Sequence, residues 1–436
     1  MSTILDHPQR YQLANELHAR PFPAVEAPCQ AVFLAIKKPI NAVNRDRGLD
    51  YAHLLSLLDH FGAPHPQPEA THYSGELNPE GLNYKGLKKL KLKWEMHTEF
   101  VTYTLFTQGI AGRPFDPAVF DIFPAEWLAK TPGSRMTSAL LQVEIMPEKI
   151  EDIQSQLLEY FEPESIAVSY VLDKSAIISG DYRIDDSGHL RFGIFVKPGT
   201  GEQRIGRILQ RLTEIEIYKS MSMLALPRAR YLSRRLAQID IQVSELVSAM
   251  KNIDRAEEDT LSEILSISAE LEDLMAQTSF RFSATAAYNA IVEQRVQVLR
   301  EERFGGRQTF YEFMMRRYDP AMRTIKSTET HLVAMAERVK RAGDLLRTRV
   351  EVDRSAQNQA LLKSMDQRAA LQLRLQRTVE GLSVVAISYY AINLVSYGFA
   401  PFAKQIGIDK PTLTGIAMPL VLLAVWWVVR RIRKSH

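Results

Sequence analysis

Two charge-free apolar runs near the C-terminus limit what this chain can fold into. The first, residues 382–403, extends for about 22 residues, enough for a helix to cross about 30 Å of hydrocarbon. The second, residues 413–429, extends for about 17 residues, which is close to the shortest membrane span. Gly407, Asp409 and Pro411 lie in the connector between the runs, and such residues are typical of a tight turn. The pattern predicts a C-terminal two-helix transmembrane hairpin within residues 381–436.

Basic residues at the outer ends of the two runs indicate how the hairpin is oriented. Arg374 and Arg377 precede the first run, and the basic stretch RRIRK follows the second, whereas the connector contains only Lys404 and Lys410. Because Lys and Arg concentrate on the cytosolic side of a membrane protein, both ends of the hairpin are predicted to face the cytosol. The chain begins without the basic and apolar regions of a signal peptide, so the remainder is predicted to stay in the cytosol.

Residues 226–380 have the periodicity of a helical or coiled-coil stalk. Apolar residues from Leu232 to Ile253 alternate in steps of four and three, which is the heptad pattern of a helix that packs on another helix. Asp319 and Pro320 supply an N-cap and a proline at the first helical position, and no proline follows before Gly381. This predicts one helix of about 80 residues that continues into the first apolar run and self-associates, since long helices are seldom stable alone.

The stretch EVDRSAQNQ, residues 351–359, is polar on every side of this predicted helix. Two interpretations remain open, because a solvated helix face and a hydrated zone above a pore both favour polar residues.

Residues 1–225 mix helix and strand patterns and are predicted to form an α+β cytosolic domain. The clearest strand is LKLKWEMHTEF, in which Leu90, Leu92, Trp94 and Met96 alternate with polar residues. Residues 60–81 are predicted to form a loop. Further strands are predicted over residues 30–37, 100–106, 140–145, 166–172, 176–182 and 190–196, and helices over 45–62, 148–160 and 202–221. We expect a mostly antiparallel sheet with helices packed on it.

Glu95, His97 and Glu99 form the candidate metal site of the chain. They occupy alternate positions of the predicted strand, so that two carboxylates and an imidazole share one face. Such ligands could hold a divalent cation, the only cofactor that the sequence predicts, if another element closed the site. The alternative is a solvated strand face whose charges alternate with Lys91 and Lys93.

His18 and Arg20, in the stretch NELHARPF, are further candidates within the cytosolic domain. They end a predicted helix, where cations also suit the helix dipole without any catalytic role. The sequence contains no nucleophile elbow, HExxH, Rossmann or kinase signature. The chain is therefore predicted not to be an enzyme.

The overall charge argues against a nucleic-acid-binding protein, and the cysteine count excludes a disulfide within the chain. With 54 basic and 51 acidic residues, the net charge is +3, and no general positive field predicts nucleic acid as a partner. Cys29 is the single cysteine, which suits a reducing compartment.

The stretches NELHARPF, WEMHTEF and VEGLSVVAISYY resemble a bacterial family of membrane-anchored proteins of unknown function, over nearly the whole chain. This resemblance implies a bacterial inner membrane location. The architecture is also similar to that of CorA-type magnesium channels, which implies a homo-oligomer with an ion-transport role. Those channels have Tyr-Gly-Met-Asn at the end of the first membrane helix. Here Tyr397 and Gly398 match the first two positions, and Phe399 and Ala400 differ from the rest.

The polar residues of the first apolar run are candidates for a pore or an inter-subunit surface. Polar side chains within a membrane usually face away from lipid, and this applies to Asn393, Ser396 and Tyr397. Gly398 is a candidate through the resemblance to the Tyr-Gly pair of the CorA-type channels. The leading hypothesis is thus a homo-oligomer in the lipid bilayer that could conduct ions. The rival hypothesis is a membrane-anchored scaffold or sensor, without a pore, that displays the cytosolic domain to partners.

Overall fold

The computed structural model describes residues 4–11, 13–14, 22–40, 42–68, 70–78, 89–110, 112–249, 257–405, 407 and 409–434. The chain divides into two compact units. The first comprises Met1–Ala249 and Ile264–Lys340, and the second comprises Met250–Glu263 and Arg341–His436. The three-part division predicted from the sequence, with boundaries at residues 225 and 380, stays a prediction.

The first unit is built on one mixed sheet. Within the described residues the sheet has nine strands in the order β2-β3-β4-β1-β5-β8-β7-β6-β9, and neighbours are antiparallel except for the parallel pair β5 and β8. The mostly antiparallel α+β fold is therefore confirmed. The strands are β1 Cys29–Lys37, β2 His72–Leu77, β3 Leu90–Met96, β4 Phe100–Gln108, β5 Ser134–Ile145, β6 Ala167–Val171, β7 Ala176–Gly180, β8 Leu190–Val196 and β9 Glu302–Arg303.

The helices follow the predicted pattern closely. The long helix begins at Asp319, as predicted, and extends for 87 residues. Ahead of it, the helix Glu257–Gln297 is continuous over 41 residues. The helices are α1 Arg47–His60, α2 Ala125–Ala129, α3 Ile150–Tyr160, α4 Glu202–Met223, α5 Leu226–Ala249, α6 Glu257–Gln297, α7 Phe310–Arg317, α8 Asp319–Gln405 and α9 Lys410–Lys434, with a 3-10 turn at Pro117–Ile122.

Two strands of the sheet were not predicted. β2 lies within the predicted loop at residues 60–81 and pairs with β3. β9 lies in the region predicted to be helical, and its Arg303 pairs with Ser169 of β6. Both are edge strands, so that each hydrogen-bonds to one neighbour only, and neither has a long apolar pattern.

Both faces of the sheet are covered by helices. Val32, Leu34 and Ile36 of β1 pack in the same core as Leu54 and Leu57 of α1. On the other face, Lys93 is only 7% exposed, and its Nζ donates to Gln210 Oε1 of α4 at 2.8 Å. The prediction of a solvated face at Lys93 was therefore wrong, because α4 covers that face.

The heptad pattern of α5 is buried against helices of the same chain. Leu232, Leu236, Ile239, Val243 and Leu246 are at most 5% exposed. At the margins of this seam, Arg235 pairs with Glu270 of α6, and Arg338 of α8 pairs with Asp240. The heptads of α5 thus contact helices of their own unit, and a coiled coil between copies stays a prediction.

The second unit contains a long exposed part of α8. Every residue from 351 to 379 is exposed, including the polar stretch 351–359 and several large apolar side chains. Leu361, Leu362, Met365, Leu371 and Leu375 are each between 59% and 66% exposed. These side chains form an uncovered apolar surface along this part of the helix.

Within the residues that the structure describes, two helices are long and apolar enough to cross a membrane. They are Asp319–Phe402 and Pro411–Arg431. In the most apolar 18-residue segment of each, only 11% and 6% of the residues, respectively, are buried. The C-terminal transmembrane hairpin stays a prediction.

Candidate functional site

The first candidate site lies where the C-terminal part of α8 meets α9. Ser396 is 5% exposed, and its hydroxyl lies 3.3 Å from that of Thr414 in α9. Ser388 is also buried, and its hydroxyl donates to the carbonyl of Val384 at 2.7 Å. The two buried serines of the first apolar run therefore have hydrogen-bond partners within this pair of helices.

The four predicted pore residues differ in their surroundings. Asn393 is half-buried, Ser396 is buried, and Tyr397 is 67% exposed. Gly398 is exposed, and a Cβ placed there would meet no other atom within 4 Å. Within the described residues, the amide of Asn393 has no hydrogen-bond partner, in contrast to Ser396.

Aromatic and basic side chains pair near the end of α9. The Arg430 guanidinium lies 4.8 Å from the ring centre of Trp426, and that of Arg431 lies 5.3 Å from the ring centre of Trp427. Both tryptophans are more than half exposed. Amphipathic rings of this kind are enriched at the membrane interface.

The second candidate site is the turn between β3 and β4, which contains two of the three predicted metal ligands. β3 ends at Met96, so His97 and Glu99 lie in the turn rather than on the strand face that was predicted. The strand prediction was wrong here because the chain reverses direction and β4 begins at Phe100.

The structure does not bring Glu95, His97 and Glu99 together. Glu95 pairs with Lys93 at 3.2 Å, and the His97 ring stacks on Phe100 with 4.3 Å between ring centres. Glu99 instead pairs with Arg281 of α6. In the part of the chain that the structure describes, no three His, Cys, Asp or Glu residues are grouped to hold a metal ion.

Glu99 lies in a buried cluster with α6. It is 1% exposed and accepts hydrogen bonds from Arg281 at 2.5 and 2.9 Å and from the Tyr288 hydroxyl at 3.1 Å. Burial is the main cause that raises the pKa of Tyr288, and the nearby Glu99 carboxylate adds to it. The phenol therefore stays protonated and remains a donor to Glu99.

Arg45 holds the backbone of the same turn. Its guanidinium donates to the carbonyls of His97 at 2.6 Å and Phe100 at 3.3 Å, and also to that of Thr98. Its Nε pairs with Asp50 at 2.5 Å, and both side chains are buried. Sequence reasoning missed Arg45, Arg281 and Tyr288, because nothing near them in the sequence distinguishes them from surface residues.

A polar pocket of about 290 Å³ opens beside this turn. We call it the turn pocket. It is lined by Arg47, Thr71, Met96, His97, Thr98, Phe100, Tyr218, Tyr288 and Ile291. Of the predicted metal ligands, His97 lines the turn pocket, and Glu95 and His97 both line a smaller pocket against α4. His18 and Arg20 lie outside the described residues.

The fold and the two sites define the class of the protein. It is a mixed α+β protein with a long C-terminal helix, α8, and a terminal apolar helix, α9. Both helices are long and apolar enough to span a membrane. Residues 5–436 match the family described as protein of unknown function (DUF3422), and the chain belongs to that family. The predicted membership of an uncharacterised family is confirmed, and the likeness to CorA-type channels stays a prediction. No curated protein matches the chain.

Proposed function

We propose that the chain is an integral protein of the bacterial inner membrane, anchored by a two-span hairpin with both ends in the cytosol. The end of α8 and α9 form the two spans. The observation that carries the proposal is the exposure of their apolar residues, since only 11% and 6% of the residues in their most apolar segments are buried. Water disfavours so large an apolar surface, whereas lipid solvates it.

The polar groups of the two helices support the same placement. Ser388 and Ser396 have partners within the pair of helices, which lowers the cost of placing their hydroxyls in hydrocarbon. Arg430 and Arg431 lie against Trp426 and Trp427, as expected where a span reaches the cytosolic interface.

Cysteine labelling in intact cells tests the orientation. The native Cys29 is fully buried and gives little background, so an introduced cysteine can be followed by itself. Asp409→Cys, in the connector, should react with a membrane-impermeant maleimide added outside the cytoplasmic membrane. Arg368→Cys, ahead of the first span, should react only after the membrane is made permeable. Equal labelling of both, or recovery of the wild-type protein in the soluble fraction, contradicts the proposal.

The role that the geometry supports best is that of a scaffold or sensor, with the hairpin as an anchor. Ser396, a predicted pore residue, bonds to Thr414 of the same hairpin, so its hydroxyl is already engaged within one chain. Replacement of the hairpin by an unrelated two-span anchor should then preserve the location and the fold of the α+β unit.

A homo-oligomer that conducts ions is the second candidate, and Asn393 is the observation that favours it. Its amide has no hydrogen-bond partner among the described residues, and an unpaired amide in hydrocarbon is costly. A second copy could supply the partner, and the exposed apolar residues of α8 between 351 and 379 offer further contact surface.

Oligomer mass and ion flux separate the two candidates. Asn393→Leu should lower the oligomeric mass in detergent, while Ser383→Leu is the matched control, because the exposed Ser383 hydroxyl bonds only to its own helix, at Val379. Liposomes that contain the full chain should pass divalent or monovalent cations if the oligomer encloses a pore. A monomer in detergent contradicts the oligomer, and absence of flux for every cation removes the transport role and leaves the anchor.

A further inference from the structure

The wall of the turn pocket is held in place by the protein itself. Arg45 bonds to three carbonyls of the turn, and Arg281 and Tyr288 hold the side chain of Glu99 from behind. These bonds lie within one unit of the structure. A pocket whose wall is fixed before a ligand arrives loses little conformational entropy on binding.

Aromatic side chains provide one part of the lining. The rings of Tyr218 and Tyr288 lie 5.6 Å apart at an interplanar angle of 30°, and Tyr218 meets the His97 ring edge-on at 6.1 Å. All three side chains are half-buried, so ring surface remains open to the pocket. Surfaces of this kind stack with planar aromatic ligands.

Charge provides the other part. The two buried carboxylates near the pocket are paired with cations, Asp50 with Arg45 and Glu99 with Arg281. The exposed Asp46 caps α1 by accepting from the backbone N–H of Gly48 at 2.8 Å. Arg47 is exposed. Its charge acts on Asp50, but that carboxylate is already hydrogen-bonded to Arg45. The Arg47 guanidinium is therefore available to an anion, which it can bind through two parallel hydrogen bonds.

We propose that the turn pocket binds a small anion that carries a planar aromatic ring and has about the size of a nucleoside monophosphate. The ring stacks on Tyr218 and meets the perpendicular His97 ring edge-on, and the anionic group pairs with Arg47. The volume of about 290 Å³ is at the lower end for small-molecule sites. Such a ligand would be the small molecule that the α+β unit senses in the proposed sensor role. The binding site itself does not depend on membrane insertion.

Calorimetric titration of the full chain, purified in detergent, tests the proposal with adenosine monophosphate as the probe. Adenosine lacks the charge and inorganic phosphate lacks the ring. We expect adenosine monophosphate to bind saturably. Adenosine and inorganic phosphate should each bind with at least about tenfold lower affinity, because each of them loses one of the two contacts.

Two variants assign the contacts. Arg47→Gln should lower the affinity for adenosine monophosphate by about tenfold or more, because it removes the charge-assisted hydrogen bond. The affinity for adenosine should fall much less. Tyr218→Leu should weaken both by about tenfold, because it removes a stacking surface. Arg230→Gln and Tyr231→Leu are matched controls on exposed positions of α5 outside the pocket.

Three results would overturn the proposal. They are the absence of saturable binding of adenosine monophosphate up to millimolar concentration, equal losses in the control variants, and unchanged affinity in both pocket variants. Thermal unfolding of each variant shows that a loss of binding is not a loss of folding. Because the site lies in the α+β unit, a failure here leaves the proposed membrane anchoring unaffected.

Discussion

Removal of Arg281 is expected to destabilise the α+β unit strongly. Arg281→Met deletes two of the three hydrogen bonds that Glu99 accepts and leaves only the one from Tyr288. Glu99 is 1% exposed, so water cannot replace the lost donors. A buried carboxylate that loses its hydrogen-bonded cation costs about 3–5 kcal/mol of unfolding free energy, and the nearby Lys37 ammonium, which does not bond to it directly, offsets only part of that cost.

The double variant Glu99→Leu/Arg281→Met isolates the cause. It removes the stranded charge together with its partner, and an apolar pair of similar volume is often as stable as a buried ion pair. We expect it to recover about 2–4 kcal/mol relative to Arg281→Met alone. Arg235→Met is the matched control, because its ion pair with Glu270 is partly exposed, at 29% and 35%, and should contribute about 1 kcal/mol or less.

Thermal unfolding of the full chain in detergent, followed by tryptophan fluorescence, provides the measurement. Trp94 and Trp127 are buried in the α+β unit and report on its unfolding. The unit has more than 300 residues, so 1 kcal/mol shifts the midpoint by about 1.5 °C, and Arg281→Met should lower the midpoint by about 5 °C. The reasoning fails if Arg281→Met costs no more than Arg235→Met, or if the double variant is no more stable than the single one.

Three further predictions concern the core of the same unit. Burial lowers the pKa of His53 to about 4, below the usual value of about 6.5. The unfolded chain therefore takes up the proton first, so the contribution of His53 to the free energy of unfolding is full above pH 6.5 and falls by at most about 3 kcal/mol towards pH 4. Urea unfolding across that range should show this decrease, and His53→Phe should remove it. Gly206→Ala should destabilise the unit by about 1–3 kcal/mol, because a Cβ there would overlap the carbonyl of Pro23. Gly201→Ala should cost less, because the space beside Gly201 is open. Equal midpoints of the two variants in thermal unfolding would contradict this. Burial raises the pKa of the Cys29 thiol to about 12, so a thiol reagent at pH 8 should react only as the unit unfolds, and rapid reaction of the folded protein would show that the thiol is accessible.

Several elements of the fold could be predicted because their signals are local. Strand β8 covers the predicted residues 190–196, and α8 begins at the predicted Asp319. In β3, Leu90, Leu92 and Trp94 are buried as their alternation indicated. Side-chain period and capping residues depend on neighbours within a few positions, so they can be recognised in one sequence.

The candidate sites were predicted less well, because their contacts join distant parts of the chain. Glu99 was predicted as a metal ligand, whereas in the structure it pairs with Arg281, which is 182 positions away. His97 was selected as a metal ligand, yet the turn after Met96 directs it to a pocket lined by Tyr218 of α4 and Tyr288 of α6. No local pattern predicts that these helices meet at one turn.

The sequence by itself determined the α+β composition of the first unit, the length of α8 and the two charge-free apolar runs at the C-terminus. These properties depend on the order of apolar and polar residues along short segments. Only the tertiary structure decided that the heptads of α5 are buried within the chain, that Lys93 lies beneath α4, and that Glu99 is a buried anion rather than a surface ligand. The physical reason is that burial depends on which surfaces meet across the fold, and a charge that looks solvated in the sequence becomes an interior ion pair once a helix covers it.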